Sequence, residues 1–350
     1  MKVLITGGAG FIGSHVAEFY AEHGWSVVIY DNFMRAQLLK QDPKTALYNL
    51  NYLKSKFPDK VVHIDADVRN LDRLVEEAKD VDLIVHAAAQ VAVTTSLTDP
   101  LTDFEVNARG TFNVLEAARR SRRDPTVIYC STNKVYGDNV NKIPVEDQGS
   151  RYAYADPKFN EGIPEDFPVD LCEHTPYGCS KLAGDLYAQD YARLYGLKVG
   201  VFRMSCIYGE RQLGAEDQGW VAWFTIAAAT GRPITIYGDG KQVRDVLYVK
   251  DLVEAYEKFR ASNLRHEVFN IGGGPHNTLS LLELLDLLEE VLGVRPRVSF
   301  NEWRPGDQRV YVSRLKRIEE KLGWRPKTQV KQGVARLAAW VKENLHLFKS

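Results

Sequence analysis

The sequence predicts an α/β protein: a Rossmann-type, doubly wound parallel sheet followed by a smaller, mixed α/β C-terminal lobe. An apolar run over residues 2–6 leads directly into a glycine turn and then a helical pattern, which is typical of dinucleotide-binding folds. Strand-like runs then alternate with helical periodicity as far as about residue 203, as in parallel sheets with crossover helices. Beyond this point the pattern is mixed, which predicts the second lobe.

Length and composition set the expected domain plan. The chain has 350 residues, of which 45% are hydrophobic, and this is enough for two domains. We expect a Rossmann domain over 1–203, interrupted by a long excursion over 139–173 that contains four prolines. The C-terminal lobe is expected over 204–350, with segments around 242–270 returning to the first domain.

Charge and cysteine content exclude several classes of function. The net charge is −1 and no basic stripe is present, so we expect no nucleic-acid partner. No apolar run approaches the ~18 residues of a membrane span, and the N-terminus lacks signal-peptide features, so we expect a cytoplasmic protein with no membrane partner. The four cysteines have no metal-ligand or disulfide-framework spacing, which predicts free thiols and no metal: Cys130, Cys172, Cys179 and Cys206.

The glycine turn predicts a cofactor pyrophosphate site. Gly7, Gly10 and Gly13 allow a tight turn, close approach of the backbone to a pyrophosphate, and helix–strand packing. The helix that follows would present its N-terminal amides, at Phe11 and Ile12, to the phosphates.

The ends of the next strands supply further cofactor residues. The second strand, over 26–30, ends in Asp31 and Asn32, close to the offset of about 20 residues expected for a ribose-binding acid. A carboxylate there accepts from the ribose hydroxyls and repels a 2′-phosphate, so it favours NAD over NADP. A third strand over 61–64 leads to Asp67 and Val68, a predicted adenine contact.

The fourth strand, over 82–86, ends in small residues that would let a flat cofactor lie against the backbone: Ala87 and Ala88, followed by Gln90. We expect His86 to be packed or hydrogen-bonded rather than catalytic. An amphipathic helix over 104–119 would bury Asn107, whose amide we expect to make a structural hydrogen bond near the cofactor.

A tyrosine and a lysine four residues apart form the predicted catalytic pair. Thr175 and Pro176 mark the start of a helix, and Tyr177 and Lys181 would lie on one face of it in successive turns. A phenol has a pKa of about 10, and a neighbouring ammonium is expected to lower it toward the working pH.

The second lobe is expected to combine strands with helices. Asp251 is predicted to cap one helix. A capping box of Ser280 and Glu283 is predicted to begin a second helix, and Gly323 is predicted to end a third. The predicted strands are 197–203, 234–237, 242–249 and 268–271, and the predicted helices are 218–230, 280–292, 313–322 and 330–345.

These motifs together resemble the extended short-chain dehydrogenase/reductase family of nucleotide-sugar enzymes over nearly the whole chain. The resemblance implies an NAD-containing Rossmann domain and a lobe for a nucleotide sugar. It implies that Tyr177 is the acid/base, that Lys181 holds the nicotinamide ribose and lowers the pKa of the tyrosine, and that Thr132 hydrogen-bonds the reacting sugar oxygen.

The resemblance also implies the substrate residues. Arg244 and Arg304 look like the two diphosphate-binding arginines of the family, and Asp307 would assist them. The remaining hypothetical contacts to the sugar and base are Thr94, Asn133, Arg211, Trp220 and Tyr237.

Two residues after Thr132 narrow the reaction. The 4,6-dehydratases of the family carry Asp-Glu there, whereas this chain has Asn133 and Lys134, which cannot replace two carboxylates. Asp31 opposes an NADPH-dependent reductase, so an epimerase remains. Several strings resemble the CDP-sugar 2-epimerases of the CDP-paratose type, which implies inversion at C2 through a 2-keto sugar with tightly bound NAD: residues 131–137, 176–181, 217–224 and 240–247.

Some alternatives stay open on the sequence. A UDP-sugar 4-epimerase would use the same catalytic residues, and a non-catalytic NAD-binding sensor would share the fold. The sugar, 3,6-dideoxy paratose or an ordinary hexose such as glucose, is undecided, and the preference for a CDP-sugar comes only from the resemblance. The oligomeric state is also open, with a homodimer or a higher homo-oligomer expected. The resemblance implies a dimer through a pair of helices, for which the helices over 104–119 and 177–195 are the candidates.

Overall fold

The computed structural model describes residues 1–38 and 42–348. The described chain divides into two compact units. The first unit comprises Met1–Val135, Pro176–Arg203 and Val253–Phe269, and the second comprises Tyr136–Thr175, Met204–Leu252 and Asn270–Ser350.

The strands follow the apolar, β-branched runs of the sequence. They are β1 Lys2–Thr6, β2 Ser26–Tyr30, β3 Val61–Ile64, β4 Leu83–His86, β5 Thr126–Thr132, β6 Val145–Asp147, β7 Tyr152–Tyr154, β8 Val199–Met204, β9 Cys206–Tyr208, β10 Ile234–Tyr237, β11 Val243–Tyr248, β12 His266–Ile271, β13 Thr278–Ser280, β14 Val298–Asn301 and β15 Val310–Tyr311.

The helices occupy the segments of helical periodicity. They are α1 Phe11–Glu22, α2 Met34–Leu38, α3 Pro43–Ala46, α4 Tyr48–Lys56, α5 Leu71–Ala78, α6 Val93–Thr98, α7 Pro100–Phe104, α8 Gly110–Arg119, α9 Thr175–Tyr195, α10 Trp220–Thr230, α11 Val249–Ala261, α12 Leu281–Leu292, α13 Lys316–Leu322 and α14 Val330–Glu343, with a π-helical segment at Glu105–Arg109 and 3₁₀ segments at Asn133–Lys142, Pro157–Phe159 and Leu345–Leu347.

A seven-stranded sheet with strand order β12-β8-β5-β4-β1-β2-β3 organises the first unit. β1 pairs in parallel with both β2 and β4, and its last residue, Thr6, lies beside Tyr30 and His86. The strand order reverses at β1 and β4, and their carboxyl ends therefore form the crevice where such sheets bind ligands. This architecture confirms the predicted doubly wound parallel sheet.

The second unit is mixed. β11 pairs antiparallel with β13 and parallel with β9 and β15, and β10 pairs in parallel with β14. Leu284, Leu288 and Leu337 of α12 and α14 are fully buried in its core. The predicted capping box of Ser280 and Glu283 is present.

Two expectations about local structure were wrong. Instead of the predicted single helix over 104–119, the structure has α7, a π-helical turn and α8. The π-helical turn accommodates one extra residue in the helical path. Asp251 does not cap α11, which begins at Val249. Its carboxylate instead accepts hydrogen bonds from the amides of Lys327 and Thr328, at 3.0 and 2.8 Å.

The excursion over 139–173 contains a short antiparallel hairpin of β6 and β7, and it belongs to the second unit. Within the described part of the chain, none of the helices is both long and apolar enough to cross a membrane.

Candidate active site

The glycine turn after β1 is packed too closely to carry side chains. Gly7 has φ +69°, and a Cβ there would lie 2.6 Å from the Ala88 amide nitrogen. A Cβ on Gly13 would lie 2.2 Å from the Gly7 carbonyl oxygen. α1 begins at Phe11, and its N-cap residue is Gly10, which has no side chain to accept from the first amides of the helix. The turn therefore offers bare backbone donors at a helix N-terminus, which fits the pyrophosphate of a dinucleotide.

Asp31, after β2, is held in place by the glycine turn and its own loop. Its carboxylate accepts hydrogen bonds from the amides of Ala9, at 3.0 Å, and Phe33, at 2.8 Å. Burial raises the pKa of this carboxyl, and the two amide donors oppose that shift. Next to it, Asn32 donates to the Asp67 carboxylate at 2.9 Å, so the ends of β2 and β3 are tied together.

The segment after β4 is linked to the π-helical turn by a buried amide pair. The Asn107 side chain accepts from the Gln90 amide at 2.8 Å and donates to the Gln90 carbonyl at 2.9 Å. The structural hydrogen bond predicted for Asn107 is therefore present. Gln90 also lines a small pocket with Arg35, Leu38 and Thr95.

His86 is packed and hydrogen-bonded, as expected. Its two ring nitrogens lie 2.7 Å from the Thr6 hydroxyl and 3.0 Å from the Thr111 hydroxyl. Burial lowers the pKa of its imidazole to about 3, and the nearby Lys181 adds to this effect. The ring is therefore neutral at physiological pH.

Tyr177 and Lys181 lie on α9, with their partners at the end of β5. The Lys181 ammonium donates to the Cys130 carbonyl at 2.7 Å and lies 4.5 Å from the centre of the Tyr129 ring. The Tyr177 phenol hydrogen-bonds the Thr132 hydroxyl. All three predicted catalytic residues are thus brought together.

The expected lowering of the tyrosine pKa is not seen. Burial raises the pKa of Tyr177 to about 12, and the hydrogen bond from Thr132 only partly offsets it. Burial also lowers the pKa of Lys181 to about 8. Desolvation disfavours the charged form of each group, and it is the largest contribution to both pKa shifts.

In the second unit, the two predicted diphosphate arginines share one polar patch. Arg244 is buried and pairs with Asp307 at 2.6 Å. Arg304 pairs with Asp217 at 2.9 Å and lies 3.9 Å above the Tyr237 ring. The turn from Arg304 to Asp307, closed by a hydrogen bond of 3.2 Å, joins the two pairs.

The other predicted substrate residues lie on several elements. Trp220, at the start of α10, donates to the Cys206 sulfur at 3.3 Å. Arg211 is buried and adopts φ +62°. Thr94 is on α6 and Asn133 is buried beside Thr132.

Several carboxylates were not predicted from the sequence. Asp217 and Glu216 contact Arg304 and Tyr237. Asp103 on α7 and Asp185 on α9 are fully buried. The pairing of Asp217 with Arg304 spans 87 residues, so no local signal indicates it. Asp103 lies four residues before Asn107, one helical turn away, and that spacing was the only available signal. Over the described ranges, no cluster of three or more His, Cys, Asp or Glu residues could hold a metal.

Comparisons with known proteins agree with this geometry. A model of the NAD dependent epimerase/dehydratase family matches residues 3–272. The chain belongs to this family. It is 42% identical to a CDP-paratose 2-epimerase of Salmonella typhi, covering 97% of this chain and 99% of that protein. It is 33% identical to a putative UDP-glucose 4-epimerase of Methanocaldococcus jannaschii, with coverage of 98% and 99%.

The chain is also similar to solved structures of nucleotide-sugar epimerases. UDP-glucose 4-epimerase of Thermotoga maritima, solved with UDP-glucose, has a TM-score of 0.81 and 29% identity, covering 99% of this chain and all of that one. UDP-glucuronic acid 4-epimerase of Bacillus cereus, in complex with UDP-glucuronic acid and NAD, has a TM-score of 0.81 and 26% identity, with coverage of 98% and 99%. The chain is therefore an enzyme, and its class is that of the NAD-dependent nucleotide-sugar epimerases.

The buried His86 predicts a specific loss of stability in acid. In the unfolded chain its pKa is about 6.5, whereas in the folded protein it is about 3. The unfolded state therefore binds more protons between these values, and folding stability falls as pH decreases through that window. By pH 4 this contribution reaches about 3 kcal/mol.

We expect urea unfolding of a His86→Asn variant to depend less steeply on pH between 6.5 and 4 than that of the wild type. His276→Asn, at an exposed position, is the control and should retain the wild-type slope. Parallel curves for the wild type and His86→Asn would contradict the assignment.

Proposed function

We propose that the protein inverts C2 of a CDP-sugar through transient oxidation to a 2-keto sugar and return of the hydride. The conversion would be of the type CDP-paratose to CDP-tyvelose, or CDP-glucose to CDP-mannose. The observation that carries the proposal is the 42% identity to a CDP-paratose 2-epimerase over almost the full length of both chains. The corresponding identity to a putative UDP-glucose 4-epimerase is 33%.

Residues of the first unit hold NAD in this proposal. The bare amides at the start of α1 contact the pyrophosphate, and Asp31 accepts from the ribose hydroxyls of the adenosine. When bound, NAD takes up the hydride from the sugar and returns it, and the positive charge of its oxidised ring favours a neighbouring phenolate. The proposed cofactor residues are Gly7, Gly10, Phe11, Ile12, Gly13, Asp31, Asn32, Asp67, Val68, Ala87, Ala88, Gln90, Asn107, Tyr177 and Lys181.

Tyr177 is the proposed acid and base. Its phenolic oxygen removes the proton of the sugar C2 hydroxyl and later returns a proton to the inverted carbinol. Its hydrogen bond to Thr132 places a second hydroxyl where it can hold the reacting oxygen. Because burial is the main reason that the pKa of Tyr177 is raised to about 12, the base form requires the positive charges of Lys181 and of the cofactor.

Arg244 and Arg304 bind the substrate diphosphate in this proposal. Each guanidinium offers paired donors at fixed geometry, which suits phosphate oxygens. Asp307 and Asp217 pair with them, so the diphosphate would exchange with the carboxylate at Arg304 and share Arg244 with Asp307. Tyr237, beneath Arg304, contributes an aromatic surface to the same site.

The sugar and base contacts complete the proposal. Asn133 follows Thr132 directly, and its amide suits a hydroxyl of the sugar. Trp220 donates its indole N–H to the Cys206 sulfur, and its half-buried ring contributes an aromatic contact to the base in this proposal. Thr94 and Arg211 complete the proposed set.

A homodimer through α8 and α9 is also proposed. These helices pack through Phe112, which meets Tyr187 and Tyr191 with ring centres 5.6 and 6.1 Å apart. Their outer face leaves Leu186 and Leu194 exposed by 52% and 68%. A second copy of the chain, related by a twofold axis, would cover this face with the same residues.

The reaction is tested by proton NMR in deuterated water, without added cofactor, on CDP-paratose, CDP-glucose and UDP-glucose. We expect inversion at C2 of a CDP-sugar with no deuterium incorporation, because the hydride stays on a tightly bound cofactor. The comparison of the two CDP-sugars decides between the dideoxy sugar and the hexose. Inversion at C4 of UDP-glucose alone would replace the proposal with a UDP-sugar 4-epimerase.

A Tyr177→Phe variant tests the acid/base assignment. We expect kcat to fall by about 10²- to 10⁴-fold, the usual contribution of a general acid–base, while the NAD content of the purified protein stays unchanged. Tyr52→Phe, on α4, is the matched control and should leave kcat unaltered. Wild-type turnover in Tyr177→Phe would remove Tyr177 from the reaction.

A Leu186→Arg variant tests the dimer. We expect light scattering to give twice the chain mass for the wild type and the chain mass for the variant, because a buried arginine would have no charge partner in a twofold interface. Leu171→Arg, at a 93% exposed position outside α8 and α9, should remain dimeric. A monomeric wild type, or a dimeric Leu186→Arg, would contradict this interface.

A further inference from the structure

A buried carboxylate contacts α9, the helix that carries Tyr177 and Lys181. Asp103, on α7, has no solvent-exposed surface. Its Oδ2 atom accepts a hydrogen bond of 2.5 Å from the Ser180 hydroxyl, and Ser180 precedes Lys181 on α9. Its Oδ1 atom accepts from the side-chain amides of Gln90, at 2.9 Å, and Asn107, at 3.1 Å.

These three donors come from three different parts of the first unit. Gln90 follows β4, Asn107 lies in the π-helical turn, and Ser180 lies in the turn of α9 between Tyr177 and Lys181. A carboxylate accepts hydrogen bonds only and has about four lone-pair positions. It can therefore accept from all three donors without presenting a competing hydrogen, whereas an apolar side chain would remove the acceptor that joins them.

The same turn of α9 is held from a second side. The Tyr177 amide donates to the hydroxyl of the buried Ser96, on α6, at 3.2 Å. Asn107 also donates to the Ser180 hydroxyl oxygen at 3.1 Å. The helix turn that carries the proposed acid/base is thus clamped by side chains rather than only by helical hydrogen bonds.

We propose that Asp103 is a positioning residue for the reaction: through Ser180 it fixes the turn of α9 that bears Tyr177 and Lys181, and through Gln90 and Asn107 it ties that turn to the segment after β4. The inference rests on the proposed catalytic role of Tyr177. Asp103 acts on the geometry of the pair, so its loss affects the chemical step more than nucleotide-sugar binding. A displacement of about 1 Å in such a site can lower the rate by about 10²-fold.

The charge of Asp103 can be separated from its hydrogen bonds. Charged and titratable groups face the catalytic pair from several elements: Asp103 from α7, Asp185 from α9, Cys130 and Tyr129 from β5, and His86 from β4. The negative charge of Asp103 favours a protonated Lys181 and a protonated Tyr177. Asp103→Asn removes this charge, and its amide can still accept from Gln90 and Asn107 and donate to Ser180.

The test compares Asp103→Ala, Asp103→Asn, Ser180→Ala and the double variant Asp103→Ala/Ser180→Ala, with Asp80→Ala at an exposed position as control. We expect Asp103→Ala to lower kcat by about 10- to 100-fold with KM and NAD content within about twofold of wild type. Asp103→Asn should recover most of kcat, with the acid limb of the pH–rate profile at lower pH. The double variant should be no slower than Asp103→Ala, because the two side chains act as one unit.

Three results would overturn the proposal. The first is a wild-type kcat in Asp103→Ala, and the second is a change in Asp103→Ala that affects only KM. The third is a loss of kcat in the double variant that equals the product of the two single losses. If Asp103→Ala does not fold, Ser180→Ala and Asp103→Asn decide it: an unchanged kcat in Ser180→Ala together with an unshifted pH profile in Asp103→Asn would refute it.

Hydrogen exchange provides a readout that does not depend on the substrate. Without nucleotide sugar, the amides over 177–181 should exchange faster in Asp103→Ala than in the wild type, while those of α14 should not change. If the wild type epimerises no nucleotide sugar, the proposed function fails, and this measurement still decides the role of Asp103, because unchanged exchange over 177–181 would overturn it.

Discussion

Desolvation of the proposed catalytic pair is the constraint on which the site depends. Tyr177 and Lys181 are both removed from water, and burial is the main reason that the pKa of the phenol is raised to about 12 and that of the ammonium is lowered to about 8. Each group is thereby pushed toward its neutral form. The partners must counter this effect, and two of them come from one strand: the Cys130 carbonyl holds the ammonium and the Thr132 hydroxyl meets the phenol. Cys130 and Thr132 are two residues apart on β5, so they lie on the same face of the strand. They contact Lys181 and Tyr177, which are four residues apart on α9 and lie on the same face of the helix.

Two buried carboxylates, Asp185 on α9 and Asp103 on α7, also act on the charge of Lys181. Asp185, one turn after Lys181, binds Arg203 through two hydrogen bonds of 3.0 Å and accepts from the Ser131 hydroxyl at 2.6 Å. Asp103 accepts from Ser180 on the same helix. A buried charge is costly unless it is paired and hydrogen-bonded. Asp185 is both, whereas Asp103 accepts hydrogen bonds from three neutral donors. The fold therefore surrounds one buried ammonium with negative groups that are themselves fully hydrogen-bonded.

In the second unit, carboxylates likewise pair with two cationic side chains. Arg244 and Arg304, which we assign to a diphosphate, are each paired with a carboxylate, so neither of these two charges is uncompensated. In the proposed function the diphosphate would exchange with Asp217 at Arg304 and share Arg244 with Asp307, and its binding would bury no new unpaired charge.

The sequence by itself determined the features that depend on short-range sterics and periodicity. The glycine turn after β1, the strands β2 and β3, the capping box of α12, and the placement of Tyr177 and Lys181 on one helix face all follow from neighbouring residues. The tertiary structure alone decided the π-helical turn at 105–109, the carboxylates that meet the arginines, the buried position of Asp103 and the upward shift of the Tyr177 pKa. These properties depend on side chains that are distant in the sequence, because hydrogen-bond partners and desolvation are set by everything that packs around a group rather than by its neighbours in the chain.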